Sequence, residues 1–413
     1  MSNEEKKPKI RFDGFTDVWE QRKFSDLVII ERGGSPRPIE DFITDSADGL
    51  NWIKIGDAPE QGNYITKTAE KIRPEGLSKT REVHPGDLIL SNSMSFGKPY
   101  IMGIDGCIHD GWLAIREVER NFDLKFLCTL LGTNQMLEQY RSFAAGSTVN
   151  NLNKELVGNT TVSYPNKDEQ KQIGEYFEQL DHLITLHQRK YDKLQKIKKS
   201  MLQKMFPQNG SLFPEIRFAG FTDAWEQRKF GETVEIERGG SPRPIDAFIT
   251  SDENGLNWIK IGDAPEQGNY ITKTAEKIKP EGLKKTRQVF PGDLILSNSM
   301  SFGKPYIMDI EGCIHDGWLL IRDDAERYDL QFLCVLLGSE QMLNQYKAFA
   351  AGSTVNNLNK ELVGNTLVSI PSKAEQREIG NYFLKLDHLI TLHQRKLHKL
   401  KNIKQSMLEK MFV

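Results

Sequence analysis

Two identical nine-residue stretches carry arginines in a loop whose backbone is restricted by glycine and proline. The sequence ERGGSPRPI occupies Glu31–Ile39 and recurs without a change at Glu237–Ile245. Arginines bind phosphate oxygens and base edges of nucleic acids, and serine adds a further hydrogen-bonding group. Glycine permits a close backbone approach to a partner, and proline reduces the conformational entropy lost on binding. The loop is therefore a candidate DNA contact, and the alternative is a structural turn with solvated arginines.

Three further segments hold side chains of the same types: the strand around Lys54, the loop Ser91–Pro99 and the loop Ala144–Lys154, each with a copy in the second half of the chain. The alternative for the last loop is a buried polar network that holds a globule against a helix, and the alternative for Trp52 is a place in the core. The predicted DNA-binding residues of the first half are Arg32, Ser35, Arg37, Lys54, Asn92, Ser93, Ser95, Lys98, Ser147, Thr148 and Asn150. Those of the second half are Arg238, Ser241, Arg243, Lys260, Asn298, Ser299, Ser301, Lys304, Ser353, Thr354 and Asn356.

One segment has two residues of a type that binds metal ions. GCIHDGW places Cys107 and His109 on one face of a predicted strand. A structural zinc site needs four such ligands, and no second pair lies at a suitable spacing. We therefore interpret the segment as a packed strand end and predict no metal-binding residues. The four cysteines of the chain form no C-x-x-C arrangement, which favours reduced structural thiols.

No catalytic motif accompanies these loops. Gly97 and Lys98 are followed by Pro99 and lack the first glycine of a phosphate-binding loop, and neither a glycine-rich cofactor loop nor an N/D-P-P-Y methyltransferase motif is present. The sequence therefore predicts a protein that binds and does not catalyse, with no catalytic residues. An independent enzyme is the alternative, which methyl transfer by the pure chain would demonstrate.

The net charge of -2 gives no global attraction to nucleic acid, so a positive field must be local. The stretch Leu186–Met205 is one possible source, although a solvated helix flank is its alternative. The N-terminal residues include no apolar signal region, and no apolar run approaches the roughly 20 residues that a membrane span needs. We expect a soluble, cytoplasmic protein.

The elements that must position the loops also occur twice. An offset of 206 residues aligns Arg11–Met205 with Arg217–Met411 without a gap, so the chain is a tandem duplication. In each copy, short β-rich runs separated by Gly, Pro and Asn precede Pro165 or Pro371. A helical segment near Leu124–Tyr140 interrupts the runs. These patterns predict two globules of mixed α and β structure.

A long helix is predicted after each of these prolines, because apolar residues step by four and three positions through three heptads. Asn166 with Glu169, and Ser372 with Glu375, have the spacing of a capping box. The two apolar stripes are predicted to bury each other as an antiparallel coiled coil within one chain, and pairing between chains is the alternative. The predicted seam residues are Ile173, Phe177, Leu180, Ile184, His187, Tyr191, Leu194, Ile379, Phe383, Leu386, Ile390, His393, Leu397 and Leu400.

The pattern that opens each long helix gives the chain a family resemblance. P-x-x-x-E-Q-x-x-I-G begins at Pro165 and at Pro371, and L-D-H-L-I follows in both copies. RFxGFTDxWEQRKF opens each globule, PGDLILS lies in its middle and AGSTVNNLNKELVGN precedes its helix. Over essentially its whole length the chain resembles the specificity (S) subunits of type I restriction-modification systems.

The predicted fold class is α+β, with two tandem mixed α/β target-recognition domains, each followed by a long spacer helix. The predicted boundaries are 1–165 and 207–371 for the domains, 166–206 for the central helix and 372–413 for the C-terminal helix. The resemblance implies that each domain reads one half of a bipartite site in double-stranded DNA. It also implies docking of methyltransferase (M) and restriction/translocase (R) subunits, in which S-adenosylmethionine, ATP and Mg are expected; no cofactor is expected in this subunit.

The identical loops predict that the two half-sites are nearly alike. Antiparallel helices would invert one relative to the other, so the expected target is a nearly palindromic, interrupted sequence. The alternative function is a duplicated scaffold that grips protein or carbohydrate across a coiled-coil spacer. Salt-sensitive, sequence-selective binding of duplex DNA separates the two functions.

Overall fold

Contacts divide the chain into two compact units. Unit 1 comprises Met1–Arg189 and Arg395–Val413, and unit 2 comprises Lys190–Gln394. Each unit therefore contains one globule and parts of both long helices. The computed structural model describes residues 7–92, 96–117, 119–144, 151–208, 210–265, 268–298, 302–350 and 357–413.

Short, mostly antiparallel strands build the globule of unit 1. They are β1 (Glu20–Lys23), β2 (Val28–Arg32), β3 (Leu50–Ile53), β4 (Tyr64–Ile65), β5 (Glu70–Ile72), β6 (Arg81–Val83), β7 (Leu88–Ser91), β8 (Pro99–Met102), β9 (Gly106–Ile108), β10 (Trp112–Glu117) and β11 (Thr161–Tyr164). They form a five-stranded sheet of order β2-β10-β7-β8-β4, a four-stranded sheet of order β5-β3-β9-β6, and the pair β1-β11. The pairs β3-β9 and β4-β8 are parallel.

The globule of unit 2 repeats this topology with one additional short strand, β14, at the edge of the smaller sheet. Its strands are β12 (Glu226–Lys229), β13 (Glu235–Arg238), β14 (Ile249–Thr250), β15 (Leu256–Ile259), β16 (Tyr270–Ile271), β17 (Glu276–Ile278), β18 (Arg287–Val289), β19 (Leu294–Ser297), β20 (Pro305–Met308), β21 (Gly312–Ile314), β22 (Trp318–Arg322) and β23 (Leu367–Ile370). The sheets have the orders β13-β22-β19-β20-β16, β14-β17-β15-β21-β18 and β12-β23.

Burial on both faces explains the uninterrupted apolar run at the centre of the larger sheet. Leu88 and Leu90 of β7 pack with the helices in one hydrophobic core, whereas Ile89 between them packs in a second core that also includes residues of the smaller sheet. Successive side chains of a strand point to opposite faces, so a strand that is covered on both sides has no face in water, and Leu88–Leu90 are all apolar.

Short helices pack with the larger sheet in each unit, and a long helix follows them. The segment predicted as one helix near Leu124–Tyr140 is two helices, because Gly132 ends the first and Thr133 Oγ1 accepts a hydrogen bond from Met136 N at 3.4 Å at the start of the second. Within the ranges given above, no helix is both long and apolar enough to cross a membrane. The helices are α1 (Leu124–Leu131), α2 (Asn134–Ala144), α3 (Lys154–Gly158), α4 (Lys167–Lys204), α5 (Leu330–Leu337), α6 (Glu340–Ala350), α7 (Lys360–Gly364) and α8 (Lys373–Met411).

Helices α4 and α8 pack in antiparallel fashion. In unit 1, the rings of Phe177 and Phe412 have centroids 5.8 Å apart, and Lys404 Nζ donates to Asp181 at 2.5 Å. From the first contact to the second, the residue number rises along α4 and falls toward the start of α8, so the two helices run in opposite directions. This confirms the predicted antiparallel coiled coil. The predicted seam residues that lie buried are Ile173, Phe177, Leu180, Ile184, Ile379, Phe383, Leu386, Ile390 and Leu397.

The capping box predicted at each helix start is half correct. Asn166 Oδ1 accepts from Glu169 N at 3.0 Å, as an N-cap does. The Glu169 carboxylate does not return to the cap; it accepts from Arg11 Nε at 2.8 Å and from Arg11 Nη2 at 2.6 Å. The guanidinium offers two parallel charged donors, which bind a carboxylate more strongly than one backbone amide does. The same arrangement in unit 2 involves Ser372, Glu375 and Arg217.

Two more residues of the helix pattern fasten each globule to its helix. Gln170 Oε1 accepts from Asp123 N at 2.9 Å, and Gln170 Nε2 donates to Pro165 O at 2.9 Å. A Cβ at Gly174 would lie 2.7 Å from Asp123 Oδ1, so glycine is required where α4 meets the start of α1. The E-Q-x-x-I-G pattern is therefore a docking pattern between helix and globule. The equivalent residues of unit 2 are Gln376 and Gly380.

Candidate nucleic-acid interface

Glycines let the backbone of the ERGGSPRPI loop pack against a strand end of its own globule. Gly33 N donates to Trp112 O at 2.9 Å, and Gly34 N donates to Ile108 O at 3.2 Å. A Cβ at Gly33 would lie 2.2 Å from His109 O, a distance that excludes any side chain. The close approach predicted for these glycines is therefore made to the protein's own backbone, which corrects their assignment to contact with a partner.

Asp110, which is not among the predicted site residues, holds the loop in place. Its Oδ1 accepts from Ser35 Oγ at 3.0 Å and lies 3.0 Å from His109 Nε2. Its backbone carbonyl accepts from Arg32 Nε at 3.2 Å and from Asn92 Nδ2 at 2.9 Å. One acidic residue thus joins the loop, a strand end and a histidine. Its place in the duplicated segment GCIHDGW was the signal that could have identified it.

Arg37 extends into solvent beside this carboxylate. Its side chain is 82% exposed, and its Nη2 lies 3.8 Å from Asp110 Oδ2. An exposed pair at this distance contributes about 0–1 kcal/mol, so little free energy opposes its exchange for another partner. Arg32 is exposed as well. Both guanidinium groups can therefore reach a phosphate or a base edge.

Unit 2 repeats this geometry around Asp316. Its Oδ1 accepts from Ser241 Oγ at 2.9 Å, its carbonyl accepts from Arg238 Nε at 3.3 Å, and its Oδ2 lies 3.7 Å from Arg243 Nη2. The loop borders an open cleft of about 960 Å³. The residues at the cleft include Ser241, Arg243, Trp258, Lys260, Glu276 and His315.

The predicted lysines beside these loops are held by ion pairs. Lys260 Nζ donates to Glu276 Oε1 at 2.5 Å, and Lys54 pairs with Glu70 in the same way. In unit 2, Lys260 and Arg243 border one cleft. The structure thus brings this lysine together with the predicted arginine, with the lysine charge compensated by Glu276.

Asn92 and Asn298 are buried, which corrects their prediction as DNA contacts. Each is only 2% exposed. Asn298 Nδ2 donates to Asp316 O at 2.8 Å, and Asn298 O accepts from Leu358 N at 3.0 Å. A buried amide must find its hydrogen-bond partners inside the protein. In this structure the two side chains therefore hold the backbone carbonyls of Asp110 and Asp316.

Lys98 borders a cleft of unit 1 whose lining includes neither Arg32 nor Arg37. Its Nζ lies 4.9 Å from the ring centroid of Tyr100, within the range of a cation–π contact. Thr129 and Lys404 line the same cleft. This cleft therefore does not join Lys98 to the arginines, and Lys304 lies over Tyr306 in the equivalent way.

The other predicted contacts lie outside the described residues and stay predictions. They belong to the segments 93–95 and 145–150 and to the copies of those segments at 299–301 and 351–356. The residues concerned are Ser93, Ser95, Ser147, Thr148, Asn150, Ser299, Ser301, Ser353, Thr354 and Asn356.

The cysteine and histidine of GCIHDGW have structural roles. Burial raises the pKa of the Cys107 thiol to about 11, so the thiol is protonated at neutral pH, and its Sγ donates to Asn51 O at 3.5 Å. His109 Nδ1 accepts from Gly111 N at 2.9 Å. Trp52 packs beside Cys107, in the core position named as its alternative. Among the described residues, no group of three or more His, Cys, Asp or Glu could hold a metal ion.

Comparison with known proteins gives this architecture a family. The family model described as the type I restriction modification DNA specificity domain matches residues 16–196 and 222–402. The type I restriction enzyme MjaVIII specificity subunit of Methanocaldococcus jannaschii is 22% identical over 386 residues, which cover 87% of this chain and 89% of that protein. The putative MjaX specificity subunit of the same organism is 22% identical over 426 residues, covering 98% and 95%.

Two solved structures share the fold. The type I restriction-modification system S subunit from M. genitalium gives a TM-score of 0.64 at 15% identity and covers 98% of this chain and 99% of that one. A chain from a study of complex assembly and conformational transition in the type I R-M system gives a TM-score of 0.52 at 17% identity, covering 95% and 97%. Since the family model matches most of the sequence in two tandem copies, the chain belongs to the type I restriction-modification DNA specificity domain family.

Proposed function

We propose that the chain is the DNA sequence-specificity subunit of a type I restriction-modification complex. One observation supports the proposal most strongly: each unit has an exposed arginine beside an aspartate that also binds a serine of the same loop. The partners match between the units, and the distances agree. Exposed arginine donors suit phosphates and base edges. A bipartite double-stranded target needs two such elements, and each unit supplies one.

The proposed role is recognition without catalysis. Methylation and ATP-driven restriction are assigned to M and R subunits, with which the chain assembles. S-adenosylmethionine, ATP and Mg are accordingly proposed as ligands of those subunits. Family membership supports this division of labour, and so does the absence from the sequence of the phosphate-binding and methyltransferase motifs.

The two half-sites are proposed to be nearly alike. Glu31–Ile39 and Glu237–Ile245 are identical in sequence, and Asp110 and Asp316 hold them in the same way. With the inverted order predicted from antiparallel helices, the target is a nearly palindromic, interrupted sequence.

Mapping of methylated bases in a host that carries the chain and its M subunits is expected to give one such motif, and a deletion of the chain is expected to abolish it. A strongly asymmetric motif would contradict the proposed symmetry. A methylation pattern that does not depend on the chain would contradict the function.

Replacing Arg37 and Arg243 together by alanine is expected to weaken binding of the assembled complex to its target about 100-fold, or about tenfold per arginine. On a non-target duplex, where these arginines would meet phosphates and release counterions, the slope of log K against log salt should fall by about 0.9 per arginine. Fluorescence polarisation of a labelled duplex at several salt concentrations measures both effects.

The matched control removes the same charge from Arg22 and Arg228, exposed arginines that pair with Glu20 and Glu226 of their own strands. This control is expected to bind within about twofold of the unaltered complex, since exposed ion pairs contribute little. Equal affinities of the Arg37→Ala, Arg243→Ala complex and the unaltered complex at every salt concentration would remove these loops from the interface.

A further inference from the structure

Each arginine loop lies beside a carboxylate, although a surface that meets phosphates is expected to avoid negative charge. Asp110 Oδ2 lies 3.8 Å from Arg37 Nη2, and Asp316 Oδ2 lies 3.7 Å from Arg243 Nη2. The two aspartate side chains are 31% and 32% exposed, so a bound partner would sense their charge. A carboxylate in this place attracts the guanidinium and repels a phosphate oxygen that approaches the same guanidinium.

Fixed donors on the other carboxylate oxygen set the direction of this charge. Asp316 Oδ1 accepts from Ser241 Oγ at 2.9 Å and lies 2.9 Å from His315 Nε2. His315 Nδ1 accepts from Gly317 N at 2.9 Å, which places the ring hydrogen on Nε2, toward the carboxylate. With Oδ1 held by these donors, Oδ2 is the oxygen directed at Arg243. Ser35 and His109 hold Asp110 in the same way.

We propose that Asp110 and Asp316 determine specificity: they position the arginine loops for target bases and oppose binding of the same arginines to non-target phosphates. This inference rests on the proposed function and deepens it. On target DNA, an arginine that contacts a base edge needs a loop held in a fixed place, and the hydrogen bonds of Asp110 to Ser35 and of Asp316 to Ser241 hold the two loops. On non-target DNA the arginine meets phosphates only, and the carboxylate reduces that attraction. Specificity is a difference between two affinities, so a group that weakens the wrong complex increases it.

The test replaces both aspartates by asparagine, which removes two charges and retains the side-chain volume and an acceptor oxygen. The assembled complex is titrated into a fluorescent duplex that carries the mapped methylation motif and into a duplex of the same composition with the motif scrambled. The Asp110→Asn, Asp316→Asn complex is expected to bind the scrambled duplex about three- to tenfold more tightly, because a repulsive charge is gone. Its affinity for the motif duplex is expected to be unchanged or lower, so the ratio of the two affinities falls.

A matched control removes the same charge elsewhere. Asp17→Asn with Asp223→Asn alters exposed acids that lie outside the loop contacts described above. This control is expected to change the affinity ratio by less than about twofold, since these charges are screened by solvent.

A second pair of variants separates charge from positioning. Ser35→Ala with Ser241→Ala removes a donor to each carboxylate and retains both charges. These variants are expected to bind the motif duplex several-fold more weakly and to gain no affinity for the scrambled duplex, because both repulsive charges remain. The serine variants also serve as the test if the asparagine variants do not assemble into a complex. In that case, unchanged binding of the serine variants to both duplexes overturns the inference.

The outcomes distinguish the inference from the function on which it rests. An unaltered complex that binds both duplexes equally would overturn the proposed function. A selective unaltered complex whose asparagine variants show the same ratio, or lose affinity for both duplexes in parallel, would overturn the role of the aspartates alone. Tighter binding of the scrambled duplex by the serine variants would also overturn this role, because a loosened loop would then explain the increase in affinity.

Discussion

The Phe412→Ala variant is expected to lose about 3–5 kcal/mol of the free energy of unfolding of unit 1. Phe412 is buried, and its ring centroid lies 6.2 Å from that of Trp19, 5.6 Å from that of Phe126 and 5.8 Å from that of Phe177. Truncation leaves a cavity among three large rings and removes their aromatic contacts. The globule would thereby lose part of its attachment to residues 395–413.

Urea unfolding followed by tryptophan fluorescence measures this loss. Phe206→Ala is the matched variant in unit 2, where the rings of Trp225, Phe332 and Phe383 surround Phe206, and a similar loss is expected there. Phe213 is 53% exposed, so Phe213→Ala serves as the control and is expected to change stability by less than about 0.5 kcal/mol. A Phe412→Ala variant as stable as this control would contradict the packing.

The second large effect is expected from Glu169→Ala, at about 3–5 kcal/mol. The Glu169 side chain is fully buried, and that of Arg11 is only 12% exposed. The hydrogen bonds that Arg11 donates to Glu169 raise the pKa of Arg11, so the guanidinium is charged in the folded protein. Without the carboxylate this mostly buried charge would lose the acid that accepts two of its hydrogen bonds, which is far more costly than the loss of an exposed pair.

A double variant checks the cause of the loss. Arg11→Met with Glu169→Leu replaces the ion pair by apolar side chains of similar size and is expected to regain most of the stability. The exposed pair of Arg22 and Glu20, with side chains 46% and 56% exposed, gives the control, and Glu20→Ala is expected to cost about 0–1 kcal/mol. Urea unfolding midpoints of the unaltered protein and the three variants measure these stabilities. Equal losses for Glu169→Ala and Glu20→Ala would refute the role of the buried ion pair.

Periodic features of the sequence predicted the long helices well, because they depend on neighbours three and four residues apart. Ile173 and Phe177 are buried in the predicted seam, and Asn166 caps the helix as expected. The carboxylate of Glu169 was predicted wrongly, because its partner Arg11 lies 158 residues away in the sequence. Local spacing cannot reveal such a contact.

The sequence distance between contacting residues also explains which parts of the candidate site could be predicted. The exposure of Arg37 follows from its place in a loop with glycine and proline, which the sequence shows directly. The role of Asp110 depends on Ser35, 75 residues away, and on Asn92, 18 residues away. Asn92 itself was predicted wrongly because an asparagine after a strand gives the same sequence signal whether tertiary packing covers it or not.

Unit 1 consists of segments that a ribosome would make at well-separated times. All of Lys190–Gln394 is synthesised between its two parts, and at a typical rate of 5–20 residues per second this takes about 10–40 s. During that interval Trp19, Phe126 and Phe177 have no Phe412 to pack against, whereas the segment that forms unit 2 is continuous and is complete before residues 395–413 exist. The globule made first would thus be finished last, and the nascent chain would expose its aromatic residues to chaperones and to aggregation throughout the delay.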